Sequence, residues 1–274
     1  MSMVINTNIA SLNATRQLDL SSRAQSVTME RLTSGLRINS AADDAAGLAV
    51  ATKMTTQIMG TDMAIRNTND GISMAQTIDG AAEEMMDMMQ RQRELAIQSL
   101  NGTYSADNRS AMNAEYDALS AELARISSTT KFNGVQVMNV SADTVDIHVG
   151  WEDNAADSIT VNAIGGTNIA TLVNAEAIDT ATNAADALDV LDAQITNLST
   201  QRSGVGAIQN RLEHTVSNLQ NISENMNASR SVILDADFAK ESADLARTQV
   251  LQQAGMSMLS QSNQASQNVL QLLQ

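Results

Sequence analysis

Few residues in this chain have the types and spacing that chemistry requires. The two histidines, His148 and His214, stand 66 positions apart, and neither has neighbours at metal-ligand spacing; no HExxH occurs. Asp43-Asp44 and Glu83-Glu84 are paired carboxylates. General acid–base work needs such a pair held in environments that push the two pKa values apart. On helices, Asp43 reads instead as a first-turn charge and Glu83 as part of a solvated face. Gly165-Gly166 is a lone doublet without a GxGxxG or Walker pattern around it, so it reads as a turn. Cysteine is absent, which excludes disulfides and thiolate chemistry. Met85, Met86, Met88 and Met89 cover more than one helix face and read as packing residues of an aromatic-poor core. The expectation is a protein that is not an enzyme and takes no cofactor or metal.

Composition narrows the class. Sixteen basic against 31 acidic residues give a formal net charge of −15, which argues against binding nucleic acid or an anionic membrane through a basic surface. Proline is absent and aromatics are 2%. Proline breaks helix interiors, so its absence fits long helices packed by Ala, Leu, Ile and Met. The start, MSMVINTNIASLN, has no basic region or apolar run of secretory type, and no stretch reads as a membrane span.

The elements follow from spacing. A first helical pattern runs from about Asn6 to Arg31 and stops at Ser34-Gly35. Ser40 reads as an N-cap with Asp43 in capping-box position. A long pattern then reaches about Leu100, with Ile58, Ile65 and Ile72 seven apart and Gly60, Gly71 and Gly80 as weak points. Asn101-Gly102 is a stop, and Ser105 caps a helix to about Ser128. Asn133-Gly134 is a turn signal. The alternation of Val145, Ile147 and Val149, and of Ile159 and Val161, predicts a small β-hairpin. Leu191, Leu198, Val205, Leu212, Leu219, Met226 and Ile233 then mark seven heptads of a helix packed along others. Ser203-Gly204 and Gly206 are a soft spot in it, and Asp235-Ala236-Asp237 breaks it from a terminal helix.

The first 15 residues and the last 27, Thr248 to Gln274, carry no charged side chain. Ile5, Ile9 and Leu12, and Leu251, Ala254, Met258, Ala265, Val269 and Leu272, recur at helical spacing among Gln, Asn, Ser and Thr. Uncharged amphipathic helices of this kind are poorly soluble alone. They are expected to pair and then to be buried in an assembly. The fold class is therefore mainly α: a long antiparallel, coiled-coil-like helical rod with a small β-hairpin region, and with the N- and C-termini paired at one end.

MSMVINTNIASLNATRQL and ERLTSGLRINSAADDAAGLAVATKM closely resemble the N-terminal region of bacterial flagellin, as do RQRELAIQSLNGTYSADNR and KFNGVQVM. DADFAKESADLARTQVLQQAGMSMLSQSNQASQNVLQLLQ resembles the flagellin C-terminal signature. The likeness covers roughly residues 1–140 and 180–274. It implies an inner core domain from residues 1–40 and 239–274. It also implies an outer core domain from 41–238, with helices at about 41–100, 106–128 and 180–234 and a hairpin region at about 130–165. Only about 40 residues separate KFNGVQVM from the returning helix, so the resemblance is to a core-only form without large variable outer domains.

The resemblance implies a structural subunit that polymerises into the helical flagellar filament for motility. It would be exported unfolded through the flagellar type III apparatus and assembled at the tip. Its location would be extracellular, without a cleaved signal peptide. Assembly seams are expected at Ile5, Ile9, Leu12, Leu251, Met258, Val269 and Leu272. On the polar side of the last helix, where Gln252 and Ser260 also lie, Gln253, Gln264, Gln267 and Gln271 would line a central channel. Implied partners are the chain itself, a flagellar export chaperone, the filament cap and hook-associated proteins, with neither nucleic acid nor membrane among them. Gln90, Arg91, Leu95 and Glu115 match positions that contact Toll-like receptor five in many flagellins, while Gln92 stands where an aliphatic residue is common. A hook–filament junction protein of the same superfamily is the alternative; it is expected to match LTSGLRINSAADDAAGLA and VLQQAGMSMLSQ less well.

Overall fold

The computed structural model describes residues 7–138, 144–161, 164, 169–171, 173 and 177–272, and for 155 and 265–272 the backbone alone. Five long helices dominate: α1 (Ile9–Ser34), α2 (Ala45–Leu100), α3 (Ala106–Thr129), α4 (Ala181–Leu234) and α5 (Phe238–Leu272). Two antiparallel hairpins accompany them, β1 (Lys131–Phe132) with β2 (Val135–Gln136), and β3 (Val145–His148) with β4 (Ser158–Val161), the latter with a 3-10 turn at Ala155–Asp157 in its loop. The chain divides into two compact units, one of residues 1–56 and 225–274 and one of 57–224. The Gly165-Gly166 doublet lies outside the described residues.

The ends of the helices are set by local chemistry. Gly35 takes a left-handed φ of 72° and its N–H donates to the Arg31 carbonyl, which closes α1. α2 begins at Ala45, four residues later than a Ser40 cap would place it. Asp43 reaches back to accept from the backbone N–H groups of Ser40 and Asn39, at 2.9 and 3.1 Å, and so holds the preceding turn. Those bonds hold its carboxyl below the usual value. Asp44 is the cap, accepting from Gly47 N at 2.9 Å. Ser105 caps α3, and Asp237 caps α5 by accepting from Ala239 N at 3.0 Å. α4 runs unbroken through Ser203, Gly204 and Gly206. Asn133 (φ 47°) and Gly134 (φ 83°) form the left-handed pair that a two-residue hairpin turn requires.

In the unit of residues 57–224, α2 and α4 run antiparallel. Asp62 accepts from Ser223, the Arg202 guanidinium meets Asp79 at 2.8 Å, and Arg93 grips Asp192 through Nε at 2.6 Å and Nη2 at 3.3 Å. α4 buries the heptad row Leu191, Leu198, Val205, Leu212 and Leu219; Met226 and Ile233 continue it half-buried. α2 answers with two rows, each of period seven. Thr61, Thr68, Ala75, Ala82, Met89 and Ala96 form one; Ala64, Gly71, Ile78, Met85, Gln92 and Ser99 form the other. Both are buried throughout, whereas Ile65 and Ile72 are only half-buried. Small side chains let neighbouring helices approach closely.

Buried polar side chains on these rows are hydrogen-bonded, although Gln92 Oε1 has no partner among the described residues. Gln92 donates to Tyr116 O and to Ser120 Oγ on α3, and Ser99 donates to Ile178 O at 2.6 Å. Met85 and Met89 are fully buried and Met86 and Met88 half-buried in the same core, so the methionine cluster is packing.

The β3–β4 hairpin pairs Val145 with Val161 and Ile147 with Ile159, as the alternation predicts. It presses on α2 where glycines leave room. A Cβ on Gly71 would meet Ile147 Cγ1 at 3.1 Å, and one on Gly60 would meet Trp151 Cβ at 2.8 Å. These two glycines are therefore seats for the hairpin; Gly80 faces open space. Leu198→Ala, which empties a fully buried site on α4, is expected to cost about 3 kcal/mol of stability, measured by denaturant unfolding. A change under about 0.5 kcal/mol would contradict this packing.

Candidate functional site

Residues with catalytic potential remain apart. His148 on β3 and His214 on α4 are both exposed, as are Glu83 and Glu84, and Asp43 and Asp44 are engaged in turn and cap. Among the described residues no group of three His, Asp or Glu side chains is placed to hold a metal ion. Likewise, no described helix is long and apolar enough to cross a membrane. The organised feature with unmet surface chemistry is the pair formed by α1 and α5.

These helices run antiparallel, and the rungs between them are polar. Asn8 Nδ2 donates to Ser262 O at 3.1 Å, and Ser262 Oγ donates back to Asn8 Oδ1 at 3.3 Å. Asn8 also caps α1 by accepting from Ser11 N. Further along, Ser21 Oγ donates to Thr248 O at 3.2 Å. At the far end Arg31 Nη1 meets Glu241 Oε1 at 3.3 Å, with the Glu241 side chain 8% exposed. The seam steps through Ser11, Ala14, Leu18, Ser21, Gln25 and Thr28 on α1, and through Leu245, Thr248, Gln252, Gly255, Leu259 and Ser262 on α5. Alternating steps of three and four are the spacing of a two-helix seam. Leu18 packs over Gly255, where a Cβ would meet its Cδ1 at 3.2 Å.

Leu18, Leu245 and Leu259 are the bulky apolar residues of the seam; others lie outside it. Ile9 is 62% exposed and Leu12 70%; Leu251 is 51% and Met258 65%. Leu20, Val27, Phe238, Val250 and Met256 are exposed with them. At about 100° per residue, Leu251 and Met258 stand roughly a quarter turn from the α5 seam, and Ile9 and Leu12 lie on the outward side of α1. So the terminal helices pair, but through a different face from the apolar stripe that periodicity marks. Small residues and side-chain-to-backbone bonds allow close approach there, and larger side chains would hold the helices apart. Gln252 is drawn into the seam, half-buried, while Gln253, Ser260 and Gln264 are exposed. Ile5 lies outside the described residues, and so do the side chains of Val269, Leu272, Gln267 and Gln271.

On the other unit, Arg91 bridges α2 and α3. Its guanidinium meets Glu115 at 2.9 Å and Glu94 at 3.0 Å, and both hydrogen bonds push its pKa up, Glu115 most. Gln90, Arg91 and Glu115 are exposed. Leu95 is not: it is 2% exposed, in the cluster with Met112 and Tyr116 of α3, and it offers nothing to a partner docking on the folded chain.

Comparison with known proteins decides the family. The model of the bacterial flagellin N-terminal helical region matches residues 5–143, and that of the C-terminal helical region matches 188–273. The chain belongs to the bacterial flagellin family. A flagellin of Halalkalibacterium halodurans is 45% identical over 271 residues, covering 99% of this chain and 100% of that protein. A Bacillus subtilis flagellin is 41% identical over 304 residues, with the same coverage. The flagellar filament 31.3 kDa core protein of Treponema maltophilum is 38% identical over 289 residues, also 99% and 100%. The crystal structure of Bacillus cereus flagellin superposes with a TM-score of 0.51 at 27% identity, over 60% of this chain and 94% of that one.

Within this flagellin the ion pair and the outward stripe have separable roles. Glu241→Gln leaves Arg31 facing a neutral group in the seam, and is expected to loosen the pair by about 1–3 kcal/mol. Hydrogen exchange across α1 and α5 should speed accordingly. Leu251→Ser should leave exchange in the free chain unchanged; faster exchange there would place Leu251 in the seam after all.

Proposed function

We propose that this flagellin is the structural subunit of a bacterial flagellar filament, located outside the cell, and that copies of the chain join through the outward faces of α1 and α5. One observation carries the reading: the terminal pair joins through polar rungs such as Ser21 to Thr248 O and leaves Ile9, Leu12, Leu251 and Met258 in solvent. Exposed apolar rows of this kind mark interaction surfaces. Contacts between unlike patches on successive copies generate an open helix where the rotation between copies does not close into a ring. In family terms the terminal pair would be the inner core domain, and α2, α3, most of α4 and the hairpins the outer one. The chain would be exported unfolded by the flagellar type III route with a chaperone, and added beneath a filament cap beyond hook-associated proteins. Its role is structural, not enzymatic.

Deletion of Thr248 to Gln274 should yield a soluble protein that forms no filaments by electron microscopy. Normal filaments from the truncated chain would overturn the proposal.

The exposed amides of Gln253 and Gln264 support a channel-facing role for one side of α5, with Gln267 and Gln271 continuing the stripe in sequence. An uncharged polar lining holds neither acidic nor basic segments of a passing chain. Gln264→Lys with Gln271→Lys is therefore expected to slow filament growth on cells; growth at the wild-type rate would count against the lining.

The exposed Gln90, Arg91 and Glu115 support recognition of the free subunit by Toll-like receptor five. Arg91→Ala, which removes the bridge to Glu115, should weaken signalling in a receptor reporter assay at equal protein concentration. Undiminished signalling would exclude this surface.

A further inference from the structure

The described methionines range from fully buried to widely exposed. Met74, Met85, Met89 and Met138 are at most 3% exposed, so oxidants in solution do not reach their sulfurs. Met256 and Met258 on α5 are 54% and 65% exposed. Two residues apart on a helix, they flank the seam on opposite sides, at roughly 80° from Thr248 in each direction. Met258 shares its flank with Leu251, seven residues earlier, and Met256 stands over the flank that Phe238 begins. A neighbouring copy that packs against either flank of α5 must therefore cover a thioether. No charged side chain follows Arg247, so on this stretch of α5 apolar area and neutral polar groups carry the contact.

We propose that Met256 and Met258 form an oxidation-sensitive site that controls assembly, with peroxide-class oxidants as the reagent. The proposal rests on the reading of the α1–α5 surface as the filament contact. The thioether sulfur attacks the distal oxygen of hydrogen peroxide and the O–O bond breaks. One oxygen becomes the sulfoxide oxygen and the other leaves as water after proton transfer. Sulfur is oxidised by two electrons and peroxide is reduced by two. The flexible apolar side chain becomes a polar, strongly hydrogen-bond-accepting one. In the free chain this costs little, because both side chains sit in water. In the filament the sulfoxide must lose its hydration without a matching donor. Assembly in turn closes the site, so a subunit already incorporated is protected.

The test uses the full chain. Free subunits are treated with hydrogen peroxide, the sulfoxides are mapped by peptide mass spectrometry, and polymerisation is followed by light scattering and electron microscopy. Met256 and Met258 should oxidise while Met74, Met85, Met89 and Met138 do not. The concentration needed for polymerisation should rise by about tenfold or more. Treatment with methionine sulfoxide reductases should restore it. Oxidised M256L/M258L, whose exposed Met29, Met59 and Met63 still react, should polymerise as its untreated form does. Met256 and Met258 in preformed filaments should resist the oxidant. Normal polymerisation of the oxidised wild-type chain, or equal loss in oxidised M256L/M258L, would overturn the site and leave the filament reading standing. Failure of the untreated wild-type chain to polymerise would overturn the filament reading and this site with it.

Discussion

Much of this molecule depends on what the terminal helices place between them. A two-helix seam filled with leucine would bury the apolar side chains of α1 and α5 against each other and leave little for a neighbour. Here Leu18, Leu245 and Leu259 share the seam with Ser21, Gln25, Thr28, Thr248, Gln252 and Gly255, and the bond from Ser21 to Thr248 O, the Asn8–Ser262 exchange and one ion pair tie it. Hydrogen bonds contribute about 1 kcal/mol each net, far less per residue than burial of a leucine. The pair is thus specified by geometry more than by apolar gain. The apolar gain remains available to whatever covers Ile9, Leu12, Leu251 and Met258.

The contrasting unit is built the other way round. Its α2 and α4 place Leu191, Leu198, Leu212, Met85 and Met89 inside and put their charges outside, where Arg202–Asp79 and Arg93–Asp192 clasp the two helices. These exposed pairs contribute little stability by themselves; they select one register among those that heptads permit. Hydrogen bonding to Arg93 also holds the Asp192 carboxyl below its ordinary value, so this contribution is present near neutrality and is lost as pH falls through that lowered value.

The sequence made the large-residue signals legible and hid the small-residue ones. Leu191 through Leu219 announced α4 because leucine sustained at period seven belongs to a helix packed along its length. The alternation of Val145, Ile147 and Ile159 marks the hairpin, and its register comes from the structure. The two buried rows of α2 carry no such signal, because Thr61, Thr68, Ala75 and Ala82 are residues that surfaces also use, and of the isoleucines seven apart Ile58 is buried while Ile65 and Ile72 are only half-buried. Gly60 and Gly71 looked like defects in a helix; only the hairpin lying on them shows why a side chain is excluded. For the terminal helices, periodicity marks a real apolar stripe, and the pair closes through a different face of each helix. Hydrophobic period tells which residues leave water, not whose surface they meet. Arg91 four residues before Leu95 taught the same lesson in reverse: one side chain reaches out to Glu115 while the other stays under α3.

The placement of charge along the terminal pair gives it a direction. Arg31 and Glu241 close the end nearest the chain breaks, where the Leu36–Asp235 bridge and the bond from Arg37 N to Leu234 O also join the two strands of chain. Among the described residues beyond Arg16 on α1 and Arg247 on α5 the seam contacts are neutral, the Asn8–Ser262 exchange being the outermost. Opening from the free end breaks the weakest bonds first and leaves the anchored end intact. Closing from the anchored end presents the outward apolar rows in sequence. A contact that binds the closed pair and not the open one stabilises closure by mass action, so covering the outward faces and ordering the seam are one equilibrium. Charge on those faces would oppose such covering by demanding solvent; its absence from both ends of the chain is what lets folding of the pair and burial of its surface proceed together.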